Sequence, residues 1–278
     1  MKMFSKTKSG KSINTTMEHW DNVSENTKNF YANNPYFQYK KKELLKLVRK
    51  WGENLSDKKI LKTDLYEEAV GYDDILFDIA QKNSEIYGID ISPNIVKKAN
   101  SIKIAKNANM DFSIQDVRCL KFSDNSFNLI ISNSTLDHFP EVSMAMQELN
   151  RVLKNNGILI LTLHNKHNPL LYLLLKGAKI FNRYYKFYSD DAYSIKETKK
   201  LMEKAGFIIK DSTTILHIPP LIPSITNELY KKNNKFLKNI GWIIFNCSLF
   251  IANMPLLRHF TGYLIAIKGV KINNEQRY

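Results

Sequence analysis

The sequence predicts an α/β protein built around a mainly parallel sheet, on three observations. From about residue 56 onward, short β-branched runs alternate with helical patterns, the alternation that βαβ units require. Helix-start signals punctuate the gaps between those runs. The chain has 278 residues and is 44% apolar, enough for a full core in one large or two small domains.

The first residues, MKMFSKTKSGKSINTT, are basic and polar without an apolar core. They read as a tail, neither secretory signal nor spanning helix. Leu44, Leu47, Val48 and Trp51 then recur at helical spacing and predict an amphipathic helix packed before the first strand. Residues 1–55 are accordingly expected to be a tail and cap helix, and 56–278 the main domain. Expected strands are 60–65, 86–90, 110–116, 127–133 and 157–163, with two more from Phe207 and from Gly262. Ser92-Pro93 places a cap and then a first-turn proline before NIVKKAN. Ser194 and Glu197 form a capping box whose helix should stop at Gly206.

Two apolar stretches interrupt the alternation, residues 168–188 and 236–257, inside insertions at about 166–193 and 219–258. Each is broken by Lys, Gly, Asn or Pro, short of the roughly 20 uninterrupted residues of a membrane span. They read as cap, lid or interfacial helices. Cys119 and Cys247 lie far apart at no metal or redox spacing, which favours a reduced, cytoplasmic compartment.

The formal charge of +14 suggests an anionic partner, nucleic acid or membrane. Against this, 35 lysines accompany only six arginines, and arginine serves bidentate phosphate contacts better. The charge therefore reads first as a solvated surface.

The chemistry concentrates at strand ends. Asp90 closes the run IYGID just before a helix, where a carboxylate can accept both hydroxyls of a ribose at the carboxyl edge of a parallel sheet. Asp116 ends the third run, in FSIQDV, and can accept from an exocyclic amine. Around them stand GIDISPNIVKKA, QDV, FNLIISNSTLDHF and ELNRVLKNNGILILTLHN in order, then AGF and a closing RHFTGYLIAIKG.

These ordered motifs resemble the class I S-adenosylmethionine-dependent methyltransferases from about Lys59 to Lys271. The resemblance implies a Rossmann-like sheet of seven strands, mainly parallel with the last antiparallel, flanking helices and helical cap insertions. It implies S-adenosylmethionine as cofactor, with Asp90 on the ribose and Ile91 beside the adenine. Asp116 and Val117 would flank the adenine, and Asn133 and Ser134 would line the methionine side.

The family's glycine-rich first loop is replaced by KTDLYEEAVG, residues 62–71. Asp64, Glu67 and Glu68 supply acids there, and Gly71 alone supplies backbone freedom. S-adenosylmethionine carries no phosphate to cradle, and its ammonium and sulfonium favour carboxylates. Two readings stand: a variant cofactor site in which Asp64 meets the ammonium, or a decayed loop with solvated acids. Asn128 and KNNG are smaller departures from the family pattern. His138 in LDHF and His164 in LHN are the candidate general bases, each with a plain structural reading as a backbone-bonded histidine. Asn34-Pro35-Tyr36-Phe37 resembles an amine-methylation motif but stands in the N-terminal cap, not after the fourth strand.

The expected activity is methyl transfer to a small apolar, lipid-linked or glycan-linked acceptor. An RNA methyltransferase and a non-catalytic cofactor-binding protein are the rivals. An anionic membrane surface and a second copy of the chain are candidate partners, with nucleic acid less favoured and no metal expected.

Overall fold

Ile60 and Leu61, the apolar pair that opens the alternation, sit at the centre of the sheet with opposite faces buried, as a strand's two-residue period demands. The computed structural model describes residues 13–26, 35–70, 74–80, 83–169, 192–218, 221–232, 234–252 and 261–272. Helices α1 (Ile13–Asn26) and α2 (Pro35–Gly52) precede strand β1 (Lys59–Lys62). Short helices α3 (Tyr66–Val70) and α4 (Leu76–Ile79) lead to β2 (Glu85–Asp90), α5 (Pro93–Ala105) and β3 (Met110–Ile114). Then come β4 (Phe127–Asn133), a 3-10 turn (Leu136–His138), α6 (Val142–Val152) and β5 (Leu153–His164). After them follow α7 (Ile195–Lys204), β6 (Phe207–Ile215), α8 (Leu221–Lys231), α9 (Lys235–Ala252) and β7 (Leu264–Lys271).

The seven strands run in the order β3-β2-β1-β4-β5-β7-β6. Neighbours are parallel from β3 through β5, and β7 lies antiparallel between β5 and β6. The order reverses between β1 and β4, so their carboxyl ends open the crevice in which ligands of such sheets bind.

Two cores cover the two faces. Leu44, Leu47, Val48 and Trp51 of α2 pack with Ile95, Val96 and Ala99 of α5 on one face. Val142, Ala145, Met146 and Leu149 of α6 join Met202 of α7 on the other. The caps form as the sequence predicts. Ser92 Oγ accepts from Ile95 N, and Ser194 and Glu197 make the reciprocal box. Gly206 takes a left-handed φ of 94°.

Some boundaries differ from expectation. The first strand ends at Lys62, although Thr63 N still donates to Ile131 O at 3.1 Å, because the chain then turns to bring carboxylates around the lysine. The KNNG segment lies within β5, which begins at Leu153 and slips register against β4 between Phe127 and Leu129. Helix α1 occupies part of what the composition read as tail. Most of the apolar stretch 168–188 and the last residues of 236–257 fall outside the described residues.

Candidate active site

The turn after β1 is organised by a fully buried lysine. Lys62 Nζ donates to Asp64 Oδ1 at 3.0 Å, Glu67 Oε2 at 2.8 Å and Glu68 Oε2 at 2.7 Å, and to the Asp64 carbonyl at 3.0 Å. Glu67 receives further donors, Lys40 Nζ from α2 at 2.9 Å and Asn133 Nδ2 from β4 at 3.0 Å. Glu68 turns its other oxygen to the Ile75 and Leu76 backbone N–H groups, both at 3.3 Å. Asp64 accepts from Thr135 Oγ1 at 3.2 Å and is the most open of the three acids, with 16% of its side chain exposed.

The charges in this ring do not balance. Burial works against the Lys62 cation, but Asp64, Glu67 and Glu68 outweigh it and hold its pKa well above the usual lysine value. Burial likewise opposes the Glu67 anion, yet Lys40 and Lys62 draw its pKa well below the ordinary range. Asp64 is pushed well up by burial and by the Glu67 charge beside it. Glu68 is also pushed up, by burial.

Asp90 stands at the end of β2, 7% exposed, and accepts from Leu65 N at 3.0 Å and Ser92 N at 2.9 Å. Burial raises its pKa to about 6 against those two backbone donors. The close approach of the turn to β2 depends on Gly88, where a Cβ would lie 2.4 Å from Leu65 Cδ2 and 2.9 Å from Phe112 Cδ1. The clearance missing from the turn's own sequence is thus supplied by the neighbouring strand. Four carboxylates, Asp64, Glu67, Glu68 and Asp90, here face two lysines.

The carboxyl ends of β4 and β5 form a second, tighter group. Asn133 Oδ1 accepts from Thr162 Oγ1 at 2.8 Å. Ser134 adopts a left-handed φ of 51°, held by its N–H donating to both the carbonyl and the hydroxyl of Thr162 at 3.0 Å. Such strain in a residue with a Cβ persists only where surrounding contacts enforce it, and it gathers at functional sites. Ser134 Oγ donates to Asp137 Oδ2 at 3.2 Å. Buried Asp137 also accepts from His164 N at 2.9 Å and pairs closely with His164 Nδ1. Although burial opposes the anion, His164 holds the Asp137 pKa well below the usual carboxylate range. The His138 ring lies 6.3 Å from that of His164, with Nε2 at 3.9 Å from Asp137 Oδ1.

Helix α1 lies against both groups. Asp21 Oδ1 accepts from Asn94 N at 3.1 Å and pairs with the Ser92 hydroxyl. The Trp20 ring stands 6.1 Å from Tyr66 and 4.9 Å from His138.

The structure therefore brings together Asp64, Glu67, Asp90 and Asn133, and joins Ser134 to His164. Ile91 is half-buried next to Asp90. Asp116 follows β3 close by, since Gln115 N donates to Asp90 O at 3.0 Å, but Arg118 grips its carboxylate through Nε at 2.9 Å and Nη2 at 2.7 Å. Val117 buries its side chain in the second core. Gly71 lies outside the described residues. Sequence reasoning missed Lys62, Lys40, Asp137 and the whole of α1. A lysine inside the apolar run KILK and the aspartate of LDHF were the available signals.

Comparison with known proteins identifies the family and the fold. A family model described as a methyltransferase domain matches residues 71–209, half of the chain. A 2-methyl-6-phytyl-1,4-hydroquinone methyltransferase of Synechocystis is 25% identical over 171 residues, 61% of this chain and 52% of that protein. The matched region thus spans about half the length of that curated relative. An uncharacterised protein of Methanocaldococcus jannaschii is 31% identical over 178 residues, 59% of this chain and 69% of its own. Among solved structures, a magnesium protoporphyrin IX methyltransferase from Synechocystis with bound S-adenosylhomocysteine superposes with a TM-score of 0.62. At 16% identity, that match covers 94% of this chain and all of the other, and it supports the fold. With a family model covering half its length and the strand-end geometry in place, the chain belongs to the S-adenosylmethionine-dependent methyltransferases, whose methyl donor is S-adenosylmethionine.

Proposed function

We propose that this chain transfers the methyl group of S-adenosylmethionine to a small, apolar acceptor carrying a hydroxyl. The surplus of carboxylates at the ends of β1 and β2 carries the cofactor half of this reading, and the Asp137–His164 pair carries the hydroxyl. Four acids against two lysines leave a pocket in which burial pushes Asp64 and Asp90 toward their protonated forms, and an arriving cation would restore their ionisation. The residues present therefore fit the cofactor, whose ammonium and sulfonium are the cations required.

In this reading Asp90 accepts the ribose hydroxyls and Ile91 lies beside the adenine. Asp116 offers the adenine amine only the lone pairs Arg118 leaves open, and Val117 contributes backbone. Asp64 and Glu67 face the ammonium, while Asn133 and Ser134 line the methionine side. The sulfonium supplies an already activated methyl, so positioning and exclusion of water provide much of the rate. Trp20 of α1 supplies part of that cover. Asp137 fixes His164 so that the imidazole can take the acceptor's proton, with His138 next to it.

The apolar acceptor rests on two supports: a relative named for a phytyl-hydroquinone, and the surface of α9. Phe236, Trp242, Ile243 and Phe250 are exposed along that helix at 71%, 57%, 54% and 72%. Lys232, Lys235 and Lys238 stand at its start. Apolar residues beside lysines make an interfacial pattern that suits an anionic membrane surface. Among the described residues no helix is long and apolar enough to cross a membrane.

Labelled S-adenosylmethionine incubated with methyl-substituted 1,4-benzohydroquinones tests the reading. Label should enter an ether product; label entering a ring carbon, or only an amine or RNA control, would replace the hydroxyl acceptor.

A further inference from the structure

We propose that Lys62 positions the cofactor-binding turn, doing with charge what glycines do with backbone freedom, and keeps that turn ready for a cation. The proposal deepens the reading of this site as the S-adenosylmethionine pocket and rests on it. Lys62 is fully buried, at 0% exposure. Its ammonium touches Asp64, Glu67 and Glu68, which span the whole turn and the start of α3, at 2.7 to 3.0 Å. It also holds the Asp64 carbonyl at 3.0 Å. One cation thus fixes both the backbone and the side chains of the segment.

A glycine turn lets main chain approach the ligand by lacking Cβ atoms. This turn carries Tyr66, Glu67 and Glu68 instead, and its shape is set by ion pairs and by the room Gly88 leaves for Leu65. Removing one partner from a buried ion pair strands the others, which answer by taking up protons. Without Lys62 the turn would hold neutral carboxylic acids in place of anions, and the site would lose the charge that attracts the cofactor.

Several elements supply the groups that face this cation or its partner acids. Lys40 comes from α2, Glu67 and Glu68 from α3, Asp90 from β2, and Asn133 and Thr135 from the end of β4. Asp21 of α1 lies one hydroxyl further out, on Ser92. Among these the lysines carry the only full positive charges, so the loss of Lys62 leaves Lys40 alone, held to Glu67.

Calorimetric titration with S-adenosylmethionine from pH 6 to 9 tests the proposal on wild type, on Lys62→Met and on the charge-neutral double variant Lys62→Met/Glu68→Gln. Wild type should bind one equivalent, with an affinity that rises from pH 6 to 7 as Asp90 ionises and is then set by the cofactor's own α-amino group. Lys62→Met should bind about tenfold more weakly at pH 7, and its affinity should rise with pH as the stranded carboxylates ionise. If the single variant fails to fold, the double variant, which removes charge in a pair, carries the test and should also bind about tenfold more weakly. Folded variants that match wild type in affinity and pH profile overturn the positioning role while the cofactor reading stands. A wild type that binds no S-adenosylmethionine overturns both, and the two failures are thereby distinguished.

Discussion

The ends of β1 and β2 and the ends of β4 and β5 are neighbours, but their charges are settled in opposite ways. At the first, four carboxylates share two lysines, and burial pushes Asp64 and Asp90 up in pKa. At the second, the single carboxylate of Asp137 is matched by His164 and Ser134 and drawn well down. The unbalanced half has a deficit that a cation can fill. The balanced half is complete as it stands and is organised to hold an imidazole in one orientation.

The sharpest way to break this contrast is at Asp137. Asp137→Asn should lower methyl transfer to any acceptor the wild type accepts by about 10²–10⁴-fold, the usual worth of a positioned general base. Binding of S-adenosylmethionine should be preserved in the same variant. Comparable losses in both, measured by single-turnover transfer and calorimetry, would merge the two halves into one site.

Next in size is a pH effect on the other side. The Asp90 pKa in the folded chain, about 6, exceeds the ordinary carboxylate value of 3.8, so the folded state binds more protons than the unfolded state between those limits. Stability from this group is therefore present at low pH and is lost as pH rises through about 6. The cofactor-free protein should lose about 2–3 kcal/mol from it between pH 4 and 6.5, and Asp90→Asn should abolish that part of the slope in urea melts. Asp137 and Glu67 act in the reverse sense, losing their contribution as pH falls through their depressed values.

Affinity provides a third comparison. Asp90→Ala should weaken S-adenosylmethionine by about 1.5–3 kcal/mol, the worth of a hydrogen bond to a charged group. Asp64→Asn should cost more affinity than Glu68→Gln, by about 1 kcal/mol, because both Glu68 oxygens are engaged within the fold while Asp64 is the open acid. Equal effects would place Glu68 in the pocket as well. The smallest effect belongs to the surface of α9. Its lysines should each contribute about 1 kcal/mol or less to co-sedimentation with phosphatidylserine vesicles at low salt, and binding should fade at high salt. A chain that self-associates without sedimenting would assign the apolar stripe to a second copy.

Much of the fold could be read from the sequence because periodicity and caps are local signals. Ser92, Ser194 and Gly206 act at the positions their residue types suggest. Asp90 and Asn133 were legible for the same reason, each closing an apolar run. What escaped depends on contacts that periodicity does not encode. Lys62 reads as a misplaced charge until Glu67 and Glu68 fold back over it, and Lys40 matters only because α2 lies against the turn. Gly88 could not be recognised as the source of clearance for Leu65, since Gly88 lies on β2 and Leu65 in the turn after β1. The start of helix α1 was hidden because residues 13–16 close a basic, polar stretch that resembles a tail. Its role in covering the strand ends rests on Trp20 and Asp21, whose partners lie 46 to 118 positions away.

The central claim is that a turn without its glycines still holds a cationic cofactor. Calorimetry of the wild-type chain at pH 7.5, titrated in parallel with S-adenosylmethionine and with S-adenosylhomocysteine, tests it most directly, since the two ligands differ by one methyl and one positive charge. The account predicts one saturable site for both, since both carry the ammonium that Asp64 and Glu67 face. Absence of binding by either would contradict it.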